Sequence, residues 1–252
     1  MVAYDGGAYH GFQILANKPS VQGALEQVLL RLTGQPCRIR YAGRTDAGVH
    51  AEGQVIAADV VWRHSLADLE RAWNVLLPPD IAVRQLAEVA DPGFHPRFSA
   101  RSRVYRYTVW TAPWRSPLHR RYTHHEPRPL DVERMNQAAA VLIGSHDFAS
   151  FGRPTQGEST VREVMRAGWR REGALLVFEI EANAFLRRMV RTVVATLLEA
   201  GAGWRSVENV SQVLAARDRS QAAGPAPACG LCLVEVKYQA GLPSGSPAQD
   251  DR

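Results

Sequence analysis

Apolar positions along the chain change period several times, and each change marks an element. Val21, Ala24, Leu25, Val28, Leu29 and Leu32 recur at helical spacing, Ser20 stands where an N-cap would, and Gly34 with Pro36 ends the run. Ser65 followed by Asp68 has the form of a capping box and opens a second helix through Leu76, which Pro78 and Pro79 stop. Residues 1–5 read as the end of a strand running into a glycine turn. Ile39 and Tyr41 alternate, residues 55–61 read as a buried strand, and residues 81–89 alternate as another. The order strand, helix, strand, strand, helix, strand is the split βαβ arrangement of a ferredoxin-like unit.

The remainder repeats that order more loosely. Residues 98–110 alternate long basic or aromatic side chains with smaller ones, as a strand does. Asp131 caps a helix with Met135, Ala138, Ala139, Leu142 and Ile143 on one face, ended by Gly144. Residues 164–169 and 174–182 form two strands around the turn Arg171-Glu172-Gly173. Helices are expected over about 185–200 and, shorter, after Ser206, with a last strand over 231–238. The chain divides into an α/β half over 1–92, a second over 93–240, and a tail over 241–252. Rich in Pro, Ser, Gly and acidic residues, the tail is expected to be disordered and dispensable. No short-period repeat is present.

Composition narrows the setting more than the chemistry. At 252 residues, 46% hydrophobic and 22% charged, the chain can bury a sizeable core and is neither disordered nor fibrous in type. No apolar run approaches the ~18 residues of a bilayer span, and the N-terminus lacks a basic, hydrophobic leader, so a cytoplasmic protein is expected. Three cysteines give no disulfide framework, in keeping with a reducing compartment. The net charge is +5, and of 30 basic residues all but Lys18 and Lys237 are arginine, the side chain suited to bidentate phosphate contact and base stacking. A polyanionic partner fits that balance, as does a source genome that favours arginine codons.

The densest chemistry lies in residues 41–50, Tyr-Ala-Gly-Arg-Thr-Asp-Ala-Gly-Val-His. Gly43 and Gly48 bracket Arg44, Thr45 and Asp46 as backbone pivots, with apolar strands on either side, which suggests a shaped loop over a core. Arg44 and Asp46 admit two readings, a salt bridge closing a β-turn or a catalytic carboxylate beside a guanidinium. The stretch Ala-Gly-Arg-Thr-Asp-Ala-Gly-Val-His closely resembles the active-site loop of the tRNA pseudouridine synthases of the TruA family. The resemblance implies that Asp46 is the essential catalytic group.

Four further stretches carry the same resemblance, so that it covers nearly the whole chain, from Tyr4 to about Tyr238. Asp5-Gly-Gly-Ala-Tyr-His-Gly-Phe-Gln13 resembles the family's first block, with Phe12 in place of its usual tryptophan; Tyr9 and Phe12 could line the cleft or be plain core aromatics. By period two, Arg103, Tyr105 and Tyr107 share a face, a mixture suited to stacking an unpaired base beside phosphates or to an ordinary half-exposed strand. Arg-x-Tyr-Arg-Tyr resembles the second motif, which implies that Tyr105 stacks on the target base. Asn-Ala-Phe-x-x-x-Met-Val-Arg resembles the third, whose arginine pairs with the catalytic aspartate, and the match is Arg191. That arginine is expected on a helix face it shares with Arg187. Gly230-Leu-Cys-Leu-Val resembles the last, which implies that Leu231 packs against the uridine ring. Arg115 to Arg128, with four arginines, three histidines and one acid, reads as a solvent-facing loop with or without a role in meeting RNA.

By this resemblance the fold is α+β, two ferredoxin-like-derived halves forming a continuous, mainly antiparallel sheet flanked by helices. The implied activity is conversion of uridine to pseudouridine in the tRNA anticodon stem-loop, at positions 38 to 40, with no cofactor and no metal. The resemblance further implies that the base leaves its stack, with Arg44 filling the vacated space, and that the enzyme acts as a homodimer with tRNA as partner; no membrane association is expected. Two other classes compete. His50-Ala-Glu52 with Pro227-Ala-Cys-Gly-Leu-Cys232 loosely echoes a zinc-deaminase signature. Against it stand the extra residue between Pro227 and Cys229, the long separation of the two pieces, and the position of the cysteines at a strand start. A non-catalytic RNA-binding protein would keep the basic and aromatic strand but have no need for Asp46. No HExxH, phosphate loop or dinucleotide fingerprint is present.

Overall fold

The Ser20 hydroxyl accepts from the Gly23 N–H at 3.2 Å and Gly34, at φ 71°, closes the same helix through its N–H to Leu30 O. Both helix ends therefore form where their capping residues stand. The computed structural model describes residues 1–155 and 157–239, and the tail over 241–252 lies outside the described residues. In chain order the elements are β1 (Val2–Tyr4), α1 (Val21–Thr33), β2 (Arg40–Tyr41), β3 (His50–Gln54), β4 (Ile56–Ala57), α2 (Leu66–Leu76), β5 (Ile81–Val83), β6 (Ser102–Trp110), β7 (His124–His125), α3 (Val132–Ala140), β8 (Gly144–Asp147), β9 (Val161–Glu172), β10 (Leu175–Ala182), α4 (Met189–Gly201), α5 (Val207–Ala216) and β11 (Leu231–Lys237). They fall into two compact units, Met1–Arg103 with the chain from Cys232 onward, and Val104–Leu231. Each is a mainly antiparallel sheet with helices packed on it, an α+β architecture.

In the first unit the strands run β5-β1-β3-β11. β1 lies antiparallel to β5 (Val2↔Val83, Tyr4↔Ile81) and to β3 (Val2↔Gln54, Tyr4↔Ala51), and β11 is parallel to β3 (Cys232↔His50, Leu233↔Ala51). β2 and β4 form a separate ribbon. α1 buries Val21, Leu25, Val28 and Leu29, and α2 packs beside it behind the Ser65 cap, whose hydroxyl accepts from Asp68 N–H at 3.1 Å.

Two strand expectations change here. The ordered strand after the glycine-rich loop is His50–Gln54, and beyond it only Ile56–Ala57 pairs. β3 is buried on both faces between ladder partners, so pairing, not apolar alternation, defines it. The strand expected over 81–89 stops at Val83, because Gln85 turns to φ 57° and the Asn74 amide takes both backbone groups of Val83, at 2.8 and 2.6 Å.

In the second unit the order is β6-β10-β9-β8, with β7 parallel to β6 (Val109↔His124). β9 and β10 form the expected hairpin, Gly173 taking φ 59° in its turn, though β9 is longer than anticipated and β8 pairs along its far edge. Asp131 accepts from Arg134 N–H at 3.0 Å and starts α3, which packs on β9, α4 and α5. Ile143, expected in the core, is 44% exposed because the chain has already left the helix. α4 also begins later than its periodicity suggests, at Met189: Arg188 takes φ 64°, so residues 185–188 lead into the helix as irregular chain. Arg187 and Arg191 therefore do not share a helix face. β7 and the structured residues around it replace part of the expected open loop over 115–128.

Candidate active site

The loop over 41–50 is held along its whole length. Ala42 N–H reaches Val55 O at 2.9 Å, and the Gln54 amide donates to Gly43 O at 2.8 Å. Phe12 N–H donates to Thr45 O at 3.2 Å, and Tyr4 and Thr45 share a hydroxyl–hydroxyl bond of 2.8 Å. Val49 N–H returns to Asp46 O at 3.1 Å, closing a four-residue turn whose third residue, Gly48, has φ 76°, a conformation that favours glycine. Gly48 N–H in turn donates to Tyr9 O at 3.3 Å. Gly48 is thus the pivot, while Gly43 is held through its carbonyl.

Within that frame Asp46 is half-buried and Arg44 exposed, the Arg44 Nε donating to Tyr41 Oη at 3.3 Å. Beneath them Phe12 is fully buried, its ring 4.7 Å from Tyr41 and 5.9 Å from Tyr4, so it is a core aromatic. Tyr9 is buried too and donates to Asp80 at 2.6 Å; burial and then that bond push its phenol well above the usual range. At the loop's end His50 Nδ1 lies 3.1 Å from both Gly6 N and Asp5 Oδ1. Only one of these can be a hydrogen bond to a single ring nitrogen, and the Gly6 N–H is an obligate donor, so Nδ1 is the acceptor and Asp5 a close neighbour.

In the second unit Tyr105 is 8% exposed and meets Phe185 edge to face at 5.1 Å. Arg191, in the first turn of α4, donates from Nε to Ala226 O at 2.6 Å, while Ala226 N–H donates to Arg191 O at 3.0 Å. Leu231, 5% exposed, follows the tight turn Ala228–Gly230. That turn presses on Tyr107: a Cβ on Gly230 would stand 2.7 Å from its ring, and its phenol donates to Pro227 O at 2.8 Å.

Arg103 and Tyr107 do not form an open basic and aromatic face with Tyr105. Arg103 is 8% exposed and spends its guanidinium on the carbonyls of Ala42, at 3.1 Å, and Arg97, while Tyr107 is fully buried. Residues whose part sequence reasoning passed over are Tyr4, Gly6 and Gly11, which with Thr45 form the scaffold of the loop. Their signal, a strand-end tyrosine and a glycine-rich turn ahead of the loop, is visible, but the pairing is tertiary. Among the described residues no group of three or more His, Cys, Asp or Glu side chains is placed to hold a metal; His50 faces Gly6, and Cys229 Sγ approaches Thr123 O at 3.4 Å.

A half-buried carboxylate on a loop fixed from both sides can act as nucleophile or base with little reorganisation. Comparison with known proteins identifies the family. The profile of the family described as tRNA pseudouridine synthase matches residues 1–99 and 138–239, which include Arg44, Asp46, Arg191 and Leu231. The tRNA pseudouridine synthase A of Geobacillus kaustophilus is 45% identical over 241 residues, covering 95% of this chain and 93% of that protein. That of Halalkalibacterium halodurans is 46% identical over 233 residues, covering 91% and 88%. Among solved structures, a chain of a Cbf5-Nop10-Gar1 complex is similar over 80% of this chain and 54% of its own, at 11% identity and a TM-score of 0.32, too distant to inform the site. On the extent and identity of these matches, the chain belongs to the tRNA pseudouridine synthase family.

Proposed function

We propose that this tRNA pseudouridine synthase acts on uridines 38 to 40 of the anticodon stem-loop, with Asp46 as the catalytic group. The observation that carries the reading is the half-buried Asp46 carboxylate on a loop pinned at Thr45 on one side and Gly48 and Val49 on the other. Tyr105, Arg44, Arg191 and Leu231 are proposed to hold the RNA and the target uridine, Arg44 filling the space the base vacates and Tyr105 stacking on it. Arg44 has the exposure such a role needs, and the edge-to-face ring of Phe185 orients Tyr105.

Two routes start at Asp46, attack on the nucleoside or removal of a ribose proton, and both converge. The N1–C1′ bond breaks, the uracil turns, and C5 bonds to C1′ as the Asp46 carboxylate is released from its adduct on the first route or returns the proton to the ribose on the second; C5 then gives its hydrogen to water while N1 gains a proton. A homodimer in the cytoplasm is the proposed working form, on the family resemblance.

The test is tritium release from tRNA labelled at uridine C5, with the parent and Asp46→Asn side by side and RNA binding measured by filter retention. The variant is expected to lose turnover entirely and to bind RNA within about threefold of the parent. Near-parental release by Asp46→Asn would overturn the assignment.

A further inference from the structure

We propose that Tyr4 is a positioning residue for the reaction, acting through Thr45 on Asp46; the proposal rests on the reading of Asp46 as the catalytic group. Tyr4 ends β1 and Thr45 immediately precedes Asp46, 41 positions later in the chain. Both are almost fully buried, at 5% and 6% exposure, and their hydroxyls meet at 2.8 Å. The phenol is rigid for its length: its strand pairs on both sides, with Ile81 and with Ala51, and Phe12 packs 5.9 Å from its ring.

Thr45 is gripped at two points. Its hydroxyl is held by Tyr4 and its carbonyl by Phe12 N–H at 3.2 Å. Gly11 lies under that carbonyl so closely that a Cβ there would stand 2.7 Å from it. The backbone of residue 45 thus has one position, and the Asp46 Cα follows from it.

On the far side the Asp46–Val49 turn, the Gly48 bond to Tyr9 O and the approach of Gly6 to Val49 O complete the frame. The Tyr4–Thr45 bond joins two side chains, so it can be removed by substitution without moving backbone. A catalytic group displaced by about 1 Å loses on the order of 100-fold in rate, so release of this bond should appear in the chemical step before it appears in RNA affinity.

The experiment compares Tyr4→Phe, Thr45→Val, their double variant and Thr45→Ser with the parent and Asp46→Asn. Readouts are single-turnover tritium release at saturating enzyme, tRNA affinity by filter binding, and melting temperature. The expected result is a loss of about 10- to 100-fold in the single-turnover rate for Tyr4→Phe and for Thr45→Val. Affinity should stay within about twofold, the double variant should be no slower than the worse single one, and Thr45→Ser should retain the parental rate because it keeps the hydroxyl. Parental rates in Tyr4→Phe while Asp46→Asn is inactive would overturn the positioning role and leave the catalytic assignment standing. Activity in Asp46→Asn would overturn both. Rate losses in the two single variants that multiply in the double variant, or that Thr45→Ser shares, would show a general packing effect and overturn the proposal as well.

Discussion

Gly11 and Gly34 both adopt positive φ, at 103° and 71°, yet replacing them should have different consequences. An added Cβ at Gly34 meets nothing within 4 Å, so Gly34→Ala should cost about 1 kcal/mol of backbone strain and leave activity unchanged. At Gly11 the same methyl would press on Thr45 O at 2.7 Å and on Asp46 C at 3.3 Å, both backbone atoms of the loop that carries Asp46. Gly11→Ala should therefore cost about 1–3 kcal/mol or more and also suppress turnover. Paired melts and tritium-release assays of the two variants check this, and equal activity in both would contradict it. His124 provides a pH prediction. Burial lowers its pKa below 6.5, with neighbouring Glu126 opposing the shift and His125 and Arg128 adding to it. The unfolded chain then binds the proton more readily than the folded one. Stability is full above pH 6.5 and falls as pH drops below it. The melting temperature should drop between pH 7 and 5, and drop less in His124→Gln; His95, shifted down for the same reason, retains part of the effect.

At the scale of elements, capping chemistry was legible and strand limits were not. Ser20, Ser65, Asp131 and Ser206 each accept from a backbone N–H of the first helical turn, because a short polar side chain at an N-cap satisfies its donor locally. Ser20→Ala should cost about 1 kcal/mol and leave the single-turnover rate unchanged, as a thermal melt and one rate measurement would show. β3 and β5 differ from their apolar pattern because partners set their limits: Gln54 pairs opposite Val2, and Asn74 takes the backbone of Val83. α4 is a turn shorter than its periodicity predicts because Phe185 fits helical spacing with Met189 while the backbone at Arg188 is left-handed. Arg191 gains meaning at this scale. Its bond to Ala226 O, returned by Ala226 N–H, ties the first turn of α4 to the chain approaching Leu231, so Arg191→Ala should lower both stability and rate. Removing a charged donor of this kind costs about 1.5–3 kcal/mol. An unchanged melt with full activity would remove Arg191 from both roles.

At the scale of the molecule, the last strand belongs to the first unit. Cys232 and Leu233 pair with His50 and Ala51, Lys237 O accepts from Arg101 N–H at 2.8 Å, and Tyr238 Oη donates to Pro96 O at 2.7 Å. Leu233 and Val236 are fully buried. A fragment of residues 1–103 should therefore lack a cooperative melt, whereas the same fragment linked to residues 232–239 should regain one, followed by circular dichroism.

The sequence alone determined the family, the α+β class, the starts of the helices capped by Ser20, Ser65, Asp131 and Ser206, and the loop carrying Arg44 and Asp46. Each of these depends on neighbours a few residues apart: caps, turn glycines, apolar period, and a contiguous motif. The tertiary structure decided that Arg103 and Tyr107 spend their polar groups on backbone carbonyls, that Phe12 is core, and that Tyr4 and Gly11 shape the loop that carries Asp46. Those outcomes rest on contacts between residues 29 or more positions apart, where the chain's return path determines which groups meet, and local pattern carries no record of that path.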